Sequence, residues 1–211
     1  MRYILIGDSG HSKVIEDCIR ANNHQVIAKL DDKYESVFKE RACMKGPISA
    51  ISDLLDEKTK IIIAVGHNAA RRKITERLQL AKERYGTVIH PSAIISSSAT
   101  FGYGTVVMPN VVVNADSIIG NHVILNTGCI VEHDCIVQSF AHISPSAVLT
   151  GGVSVQEGTQ VGARSSVNPT IQIGKWTMIG AGSAVIDNIP DYVTAVGVPA
   201  KIIKERRTLN D

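Results

Sequence analysis

Residues 125–149 read LNTGCIVEHDCIVQSFAHISPSAVL, with a large aliphatic residue at every sixth position. The same spacing runs without a break from Ile95 to Val185, and all sixteen positions in that register carry a large apolar residue. A repeat of fixed period is stronger evidence for architecture than local propensity. This repeat therefore decides how the second part of the chain folds.

A second register lies two residues before each large apolar position and carries compact or β-branched residues. Ala99, Thr105 and Ser117 are examples, and the pattern continues to Ser183. A six-residue unit with one large and one compact inward residue is typical of a triangular parallel β-helix, in which three units complete one coil. Residues 95–185 therefore predict about five coils stacked roughly 4.8 Å apart. Functional side chains are expected at positions outside both registers.

Composition excludes several classes of function. The chain has 211 residues and a formal net charge of +2, so it is long enough for two compact units and lacks the strong charge of a nucleic-acid-binding protein. The sequence shows neither a signal-peptide pattern nor an apolar run of about 18 residues. We therefore expect a cytoplasmic protein that does not bind nucleic acid and does not insert into a membrane.

The four cysteines carry no metal-binding pattern. Cys18, Cys43, Cys129 and Cys135 include no C-x-x-C pair, and the last two fall in the compact inward register. Packing in the core is favoured over a metal site or a disulfide at these positions. No metal is expected, and reduced thiols agree with a cytoplasmic location.

Residues 1–85 follow a different pattern, in which aliphatic runs alternate with amphipathic segments. Residues 3–6, 26–30 and 61–65 predict strands, and residues 11–21 and 69–84 predict helices. Strands that alternate with helices form a parallel sheet. The sequence therefore predicts a small Rossmann-like α/β domain over residues 1–85, followed over residues 86–211 by the β-helix domain with a C-terminal tail.

Three polar turns follow the predicted strands and meet at one edge of the sheet. They are G-D-S-G-H at residues 7–11, the pair Asp31 and Asp32, and G-H-N at residues 66–68. Ligands of parallel sheets bind beyond this edge, and a helix N-terminus there can hold a phosphate. The first turn lacks the three glycines of G-x-G-x-x-G, so a nucleotide-sugar is favoured over NAD. Two simpler explanations stay open: the glycines serve only the turn, and the aspartates are only solvated.

The order of these segments resembles the bacterial nucleotide-sugar acetyltransferases that carry a left-handed β-helix. The family includes UDP-4-amino-sugar N-acetyltransferases and sialic acid O-acetyltransferases, and the resemblance covers essentially the whole chain. It rests on the three turns, on V-I-H-P-S-A at residues 88–93, on N-T-G-C-I-V-E-H-D at residues 126–134, on F-A-H at residues 140–142 and on G-V-P-A-K at residues 197–201.

The resemblance implies an enzyme that uses acetyl-CoA as co-substrate and acetylates the amino group of a nucleotide-linked amino-sugar, of the UDP-4-amino-4,6-dideoxy type. The alternative is an O-acetyltransferase for a sialic-acid-type sugar. The resemblance also implies a left-handed coil, an exception to the right-handed rule for parallel crossovers, and a homotrimer with active sites between subunits. The substrate-binding residues that it implies at the sheet edge are Ser9, Gly10, His11, Asp31, Asp32, Gly66, His67 and Asn68.

His133 is the residue to which the resemblance assigns the chemistry. It lies outside both inward registers, between Glu132 and Asp134. An imidazole with an ordinary pKa of about 6.5 can take a proton from an amine at cellular pH, and a neighbouring carboxylate can hold its other nitrogen. The resemblance makes His133 the catalytic base, Asp134 its acidic partner and Asn126 a residue that positions the substrate. Asn126 could instead only complete a coil corner.

The coenzyme-binding residues are implied by the resemblance alone. They are His142, Gly151, Ala163 and Ala181, several of which would act through backbone groups. Gly151 and Gly152 allow close approach and offer an N–H to the thioester oxyanion. His142 could equally pack at a subunit contact.

Other functions stay open at this stage. A zinc hydratase would need His122, His133 and His142 to converge on one metal, although spacings of eleven and nine residues separate them around a coil. A binding scaffold could keep the fold and lose catalysis, but the intact E-H-D cluster favours an enzyme. Asp8 and His67 depart from the family pattern, which has a small residue and an amide there, so the nucleotide and the acceptor group stay open.

Overall fold

Short aliphatic runs form the strands of the N-terminal sheet, as their pattern predicts. The computed structural model describes residues 1–205, and in its first strand Ile4, Leu5 and Ile6 are fully buried. The elements of this part are β1 (Arg2–Ile6), α1 (Gly10–Ala21), β2 (Gln25–Leu30), β3 (Phe38–Glu40), β4 (Cys43–Gly46), a 3₁₀ turn (Ile48–Ala50), α2 (Ile51–Leu54), β5 (Thr59–Ile63), α3 (Asn68–Leu78) and a second 3₁₀ turn (Lys82–Arg84).

The N-terminal sheet has the strand order β3-β4-β2-β1-β5. β1 pairs in parallel with β2 and β5, and β2 pairs in parallel with β4, which confirms the predicted parallel sheet. β3 and β4 form an antiparallel hairpin that the sequence pattern does not predict. The carboxyl ends of β1, β2 and β5 lie side by side, and the three polar turns leave from this edge.

The helix after β5 is shorter than its sequence predicts. The pattern predicts a helix over residues 69–84, but α3 ends at Leu78 and a separate 3₁₀ turn follows. Gln79 adopts a left-handed backbone with φ 49° and ψ 33°, and its N–H donates to the Thr75 carbonyl. A left-handed residue directly after a helix ends its hydrogen-bond ladder. None of the helices in residues 1–205 is long and apolar enough to cross a membrane.

The second part of the chain consists mostly of two-residue strands, each of which ends on a large aliphatic residue. The strands are β6 (Val88–Ile89), β7 (Ile94–Ile95), β8 (Thr100–Phe101), β9 (Val106–Val107), β10 (Val112–Val113), β11 (Ile118–Ile119), β12 (Ile124–Leu125), β13 (Ile130–Val131), β14 (Ile136–Val137), β15 (His142–Ile143), β16 (Val148–Leu149), β17 (Ser154–Val155), β18 (Gln160–Val161), β19 (Ser166–Val167), β20 (Gln172–Ile173), β21 (Met178–Ile179), β22 (Ala184–Val185), β23 (Val193–Val196) and β24 (Lys201–Glu205).

These strands form three flat faces. The first face contains β6, β9, β12, β15, β18, β21, β23 and β24, the second contains β7, β10, β13, β16, β19 and β22, and the third contains β8, β11, β14, β17 and β20. Residues one coil apart pair in parallel, as Val112 does with Ile130. From Val107 to Val185 every large position of the six-residue register is at most 2% exposed. The predicted parallel β-helix is confirmed.

Three corners join the faces and carry the residues outside the two inward registers. The first corner lies between the first and second faces and contains residues 126–128, 144–146, 162–164 and 180–182. The second corner lies between the second and third faces and contains residues 132–134, 150–152 and 168–170. The third corner lies between the third and first faces and contains residues 120–122, 138–140 and 156–158.

The α/β unit packs against the lower coils of the first face. Cys18 of α1 donates from Sγ to the Val107 carbonyl at 3.5 Å. The outward side chains of Val106 and Ile124 are each 1% exposed beneath this contact. One continuous apolar core therefore joins the two parts, and it brings the polar edge of the N-terminal sheet to His142 on the next coil.

Candidate active site

His133 and Asp134 form a hydrogen-bonded pair at the second corner. Val131 ends β13 inside the coil, so the corner residues that follow project outward. Asp134 has a left-handed backbone with φ 59°, which Asp tolerates better than most residues. His133 Nδ1 lies 2.7 Å from Asp134 Oδ2, while the two side chains remain 62% and 66% exposed. The Nε2 side of the ring therefore faces away from Asp134 and is accessible to a substrate.

The surroundings of His133 favour a base. The hydrogen bond with Asp134 raises the pKa of His133 above its usual value, and the charges of Asp134 and Glu132 add to this effect. Glu132 is itself held in place, because Asn114 Nδ2 donates to its Oε2 at 2.7 Å. With Nδ1 donating to Asp134, the neutral imidazole has its lone pair on Nε2.

Gly151 packs directly against the His133 ring, one coil further along the second corner. A Cβ atom at position 151 would lie 2.6 Å from Cε1 and 2.7 Å from Nε2 of His133. The neighbouring Gly152 donates its N–H to the His133 carbonyl at 2.9 Å. The imidazole therefore occupies space that a side chain at position 151 would fill. Gly151, a predicted coenzyme-binding residue, thus contacts His133, the predicted base.

Asn126 and His142 meet near the first corner. The Asn126 Oδ1 atom accepts from the Thr127 N–H at 2.8 Å, which orients the amide so that Nδ2 donates to His142 Nε2 at 3.0 Å. His142 Nε2 is therefore an acceptor, and the ring carries its proton on Nδ1. Burial lowers the pKa of His142 to about 3, with contributions from the charges of Arg71 and His11, so the ring is neutral at cellular pH.

The first polar turn of the α/β unit reaches the same place. The rings of His11 and His142 have centroids 6.5 Å apart, and burial together with the charge of Arg71 lowers the pKa of His11 to about 4. Ser9 and Gly10 are exposed at the start of α1, and the Ser9 side chain makes no capping bond to that helix. The structure therefore brings Ser9, Gly10 and His11 together with His142.

Asp31 and Asp32 leave the same edge of the sheet in different directions. Asp31 is half-buried, and its Oδ2 accepts the Asp8 N–H at 2.8 Å, which ties it to the first turn. Asp32 is exposed and forms an ion pair with Arg77 that lowers the pKa of the aspartate. Asp31 supports the turn, whereas Asp32 presents its carboxylate to solvent.

The G-H-N turn uses most of its polar groups within the protein. His67 is the N-cap of α3, and its Nδ1 accepts the Ala70 N–H at 3.2 Å. Asn68 is 7% exposed, and its Nδ2 donates to the Gly158 carbonyl at 3.0 Å. The structure thus places Asn68 in the contact between the α/β unit and the coil, whereas Gly66 is half-buried and His67 is exposed.

Small residues line the first corner above Asn126. Ala181 is exposed and Ala163 is half-buried, and the Ala163 carbonyl accepts the Gly182 N–H at 2.8 Å. A Cβ atom at Gly162 would lie 2.6 Å from the Ala181 nitrogen, so the coils stack tightly here. The corner at Ala163 and Ala181 is therefore formed by small side chains and closely stacked backbone.

The histidines of the zinc hypothesis do not meet. His122 lies at the third corner, 2% exposed and stacked on Phe140, whereas His133 lies at the second corner and His142 on the first face. In the part of the chain that the structure describes, no group of three His, Cys, Asp or Glu residues is arranged to hold a metal ion.

Two residues of this region are missed by sequence reasoning. Asp8 is noted there only as an unusual turn residue, yet its carboxylate accepts from Tyr34 Oη at 2.6 Å and pairs with Lys45 Nζ at 2.9 Å. Arg71 gives no signal beyond its place in a basic helix, yet it is 1% exposed and donates to carbonyls of both parts. Each is identified only by contacts between segments distant in sequence.

Comparisons with known proteins agree with this geometry. Residues 2–78 match the family described as the PglD N-terminal domain. A segment of 101 residues is 47% identical to UDP-N-acetylbacillosamine N-acetyltransferase of Bacillus subtilis (strain 168), and it spans 46% of this chain and 47% of that enzyme. The chain therefore matches about half the length of that curated relative.

Solved structures match over nearly the whole chain. A variant of perosamine N-acetyltransferase from Caulobacter crescentus, in complex with CoA and GDP-perosamine, has a TM-score of 0.89 and 34% identity over 97% of this chain and 98% of that one. The acetyltransferase domain of PglB from Neisseria gonorrhoeae FA1090, in complex with acetyl coenzyme A, has a TM-score of 0.86 and 33% identity over 96% and 98%. The chain therefore belongs to the family of left-handed β-helix N-acetyltransferases that carry a PglD-type N-terminal domain.

Proposed function

We propose that the protein transfers the acetyl group of acetyl-CoA to the amino group of a nucleotide-linked amino-sugar. The observation that carries this proposal is the exposed pair of His133 and Asp134, joined at 2.7 Å and seated on Gly151. The proposal agrees with the names of two similar enzymes, UDP-N-acetylbacillosamine N-acetyltransferase and perosamine N-acetyltransferase, and with the structure of the second, which holds CoA and GDP-perosamine.

His133 acts as the general base of this reaction. As the sugar amine attacks the thioester carbonyl, a C–N bond forms and His133 Nε2 takes the proton that the nitrogen loses. Asp134 holds Nδ1 and stabilises the imidazolium. When the C–S bond breaks, His133 returns the proton to the coenzyme sulfur. The products are an amide and free coenzyme A, and the base is regenerated.

Coenzyme binding is assigned to the first corner and to the second-corner glycine. Ala163 and Ala181 border the strip of small residues, and His142 is held neutral beside it. Gly152 uses its N–H within the protein, so the N–H that we assign to the thioester oxyanion is that of Gly151. Such a donor lowers the barrier to acyl transfer by several kcal/mol, roughly 3 in known cases.

Acceptor binding is assigned to the α/β unit. We propose that residues 1–85 hold the nucleotide through Ser9, Gly10 and Asp32, with the helix N-terminus near the diphosphate. His11, Gly66, His67 and Asn126 then border the sugar, and Asp31 and Asn68 act by fixing the turns. Residues 86–211 carry acetyl transfer, and residues 206–211 of this domain lie outside the described structure.

The arrangement of the corners supports a homotrimer with shared active sites. Within one chain the second face separates the His142 cluster at the first corner from His133 at the second. The outward side chains of this face are Ile94, Val112, Ile130, Val148, Ser166 and Ala184, mostly apolar and partly exposed. If three coils pack through this face around a threefold axis, the first corner of one subunit meets the second corner of the next. Nucleotide-sugar and coenzyme then bind between subunits.

A substitution on the second face tests this assembly. Ile130→Asp places a charge in the proposed interface, and we expect the particle mass to fall from trimer to monomer with loss of acetyl transfer. Ile136→Asp is the matched control, because Ile136 is the equivalent outward residue on the third face and is 43% exposed. Light scattering measures both variants. A trimeric, active Ile130→Asp protein would show that the interface lies elsewhere.

The pH dependence of kcat/KM tests the role of Asp134. Because Asp134 raises the pKa of His133, the wild-type rate should fall as pH drops through this raised value, where the base becomes protonated. Asp134→Asn should move that inflection to lower pH and reduce the maximal rate about tenfold to 100-fold, since the ring loses its tautomer control. An unchanged inflection would exclude Asp134 as the partner that sets this pKa.

Release of free coenzyme A with a panel of acceptors tests the proposed activity. UDP- and GDP-linked 4-amino-sugars are compared with the same sugars carrying a hydroxyl group at position 4. We expect release only with an amino-sugar, and the active nucleotide then identifies the acceptor. Release with a free sialic acid and with no nucleotide-sugar would replace the proposal by sugar O-acetylation.

We also propose a cytoplasmic location. Its support is that Cys18, Cys43, Cys129 and Cys135 are all free thiols in the structure, the state expected in a reducing compartment. Burial raises the pKa of Cys129 to about 12, so this thiol is unreactive and serves packing.

A further inference from the structure

Arg71 is buried between the α/β unit and the coil with only neutral partners. Its side chain is 1% exposed, and burial lowers its pKa to about 9. Each of the six oxygen atoms that accept hydrogen bonds from it is a carbonyl or amide oxygen. Removal of a guanidinium from water costs free energy that neutral acceptors only partly restore, so the residue needs an explanation other than stability.

The acceptors of Arg71 come from both parts of the protein. Nε donates to the His122 carbonyl at 2.8 Å and Nη2 donates to the Phe140 carbonyl at 2.7 Å, both at the third corner. Nη1 donates to the carbonyls of Val65 and Gly66 at 3.1 and 3.2 Å, in the loop between β5 and α3. One planar fork therefore fixes this loop to the coil in a defined orientation.

Asn68 extends the same contact. Its Oδ1 accepts from Nη2 of Arg71 at 3.0 Å, while its Nδ2 donates to the Gly158 carbonyl at 3.0 Å. The amide thus has partners on both sides of the contact. The position of the G-H-N turn relative to the coil is set by Arg71 and Asn68 together.

This turn also reaches His142. The Gly66 carbonyl raises the pKa of His142, against the larger lowering by burial and by the charge of Arg71, but Nδ1 has no hydrogen-bond partner among the described residues. Arg71 lies beside the same strand, because its Nη2 donates to the carbonyl of Ala141, the residue before His142, at 3.3 Å. Because Asn126 donates to Nε2, the proton of His142 lies on Nδ1. The charged and titratable groups that face the ring are Arg71 of α3 and His11 of α1.

We propose that Arg71 is a positioning residue, which holds the G-H-N turn against the coil and, through its buried charge beside β15, keeps the His142 ring neutral so that Nε2 accepts from Asn126. It acts on the acceptor through the turn and on the coenzyme through His142. The kinetic consequence rests on the proposed function, whereas the state of His142 does not.

The kinetic test compares Arg71→Met with Arg72→Met. Arg72 is the next residue of α3, pairs at the surface with Glu76 and Glu157, and lies 5.5 Å from the Trp176 ring. We expect Arg71→Met to raise KM for the amino-sugar nucleotide about tenfold, with kcat changed less than about threefold. A loss of folded protein would instead lower kcat at constant KM. Arg72→Met should match the wild type in both.

A spectroscopic test reads His142 directly, without substrate. In the wild type, the imidazole ¹⁵N signals of His142 should show a neutral ring protonated on Nδ1 between pH 5 and 8. In Arg71→Met the nearby charge is removed, so the pKa of His142 should rise by about one unit or more, which a titration extended below pH 5 measures. Arg71→Lys should give an intermediate result, because an ammonium keeps the charge and loses the fork. It also serves as the variant to measure if Arg71→Met does not fold.

The two tests separate the failure of this inference from the failure of the proposed function. Wild-type KM and wild-type His142 signals in Arg71→Met would overturn the positioning role. If no nucleotide-sugar is acetylated by the wild type, the proposed function fails, and the ¹⁵N signals still decide whether Arg71 controls His142.

Discussion

His133→Ala should lower kcat for acetyl transfer by about 10³-fold, within the range known for loss of a general base. In the proposed reaction the imidazole takes the amine proton, and alanine leaves nothing at that position to replace it. The side chain is 62% exposed, so its removal should leave the thermal unfolding midpoint, the assembly and coenzyme binding unchanged. Steady-state release of coenzyme A and calorimetric titration with coenzyme A measure these quantities.

His24→Ala is the control for this substitution. His24 directly precedes β2, at the amino end of the sheet and opposite the polar turns. Its ring stacks on Tyr3 with centroids 5.9 Å apart, and its loss should leave kcat unchanged. A His133→Ala enzyme with at least a tenth of the wild-type kcat would contradict the general-base role.

Gly151→Ala should lower kcat by about 100-fold, the loss expected when a catalytic group is displaced by about 1 Å. The new Cβ would lie 2.6 Å from Cε1 of His133, and the exposed ring must swing away to relieve this overlap. Because the ring can move into solvent, stability should change little. Gly152→Ala should instead lower the stability, because Gly152 has a left-handed backbone with a φ of 71°, which disfavours alanine.

A double-mutant cycle shows whether Gly151 acts through the base. In the His133→Ala background there is no ring to displace, so Gly151→Ala should cause no further loss of kcat. Additive losses would show that residue 151 affects the reaction independently of the imidazole.

The parallel β-helix was predictable because its six-residue period is typical of that architecture. Residues such as Val131 and Val137 occur at a spacing that a coil of three six-residue units buries in one core, and both are at most 1% exposed. The hairpin of β3 and β4 was not predictable, since all three residues of Phe38–Glu40 lie on the surface and show no apolar alternation. The end of α3 was not predictable either, because it depends on the left-handed backbone of Gln79, and glutamine gives no sign of that conformation in the sequence.

For residues at the corners of the coil, the sequence predicts that the side chain points outward. His133 falls two residues after the inward Val131, at a corner and outside both inward registers, and Asp134 is its neighbour in sequence. The contacts of Asn68 were not predictable, because its partner Gly158 is separated by 90 residues. For the same reason the hydrogen bonds from Arg71 to the carbonyls of His122 and Phe140 could not be predicted, because they depend on the packing of α3 against the third corner. Periodicity gives the direction of a side chain, and tertiary packing gives its partner.

The proposed sharing of the active site between subunits is tested most directly by mixing two variants that we expect to be inactive. His133→Ala and Asn126→Ala are unfolded and refolded together, so that subunits combine at random. If the second corner of one subunit serves the first corner of the next, about one quarter of the sites regain both residues, and activity should recover to about a quarter of wild type. A mixture no more active than its better parent would contradict the account, because it would place His133 and Asn126 in a site within one chain.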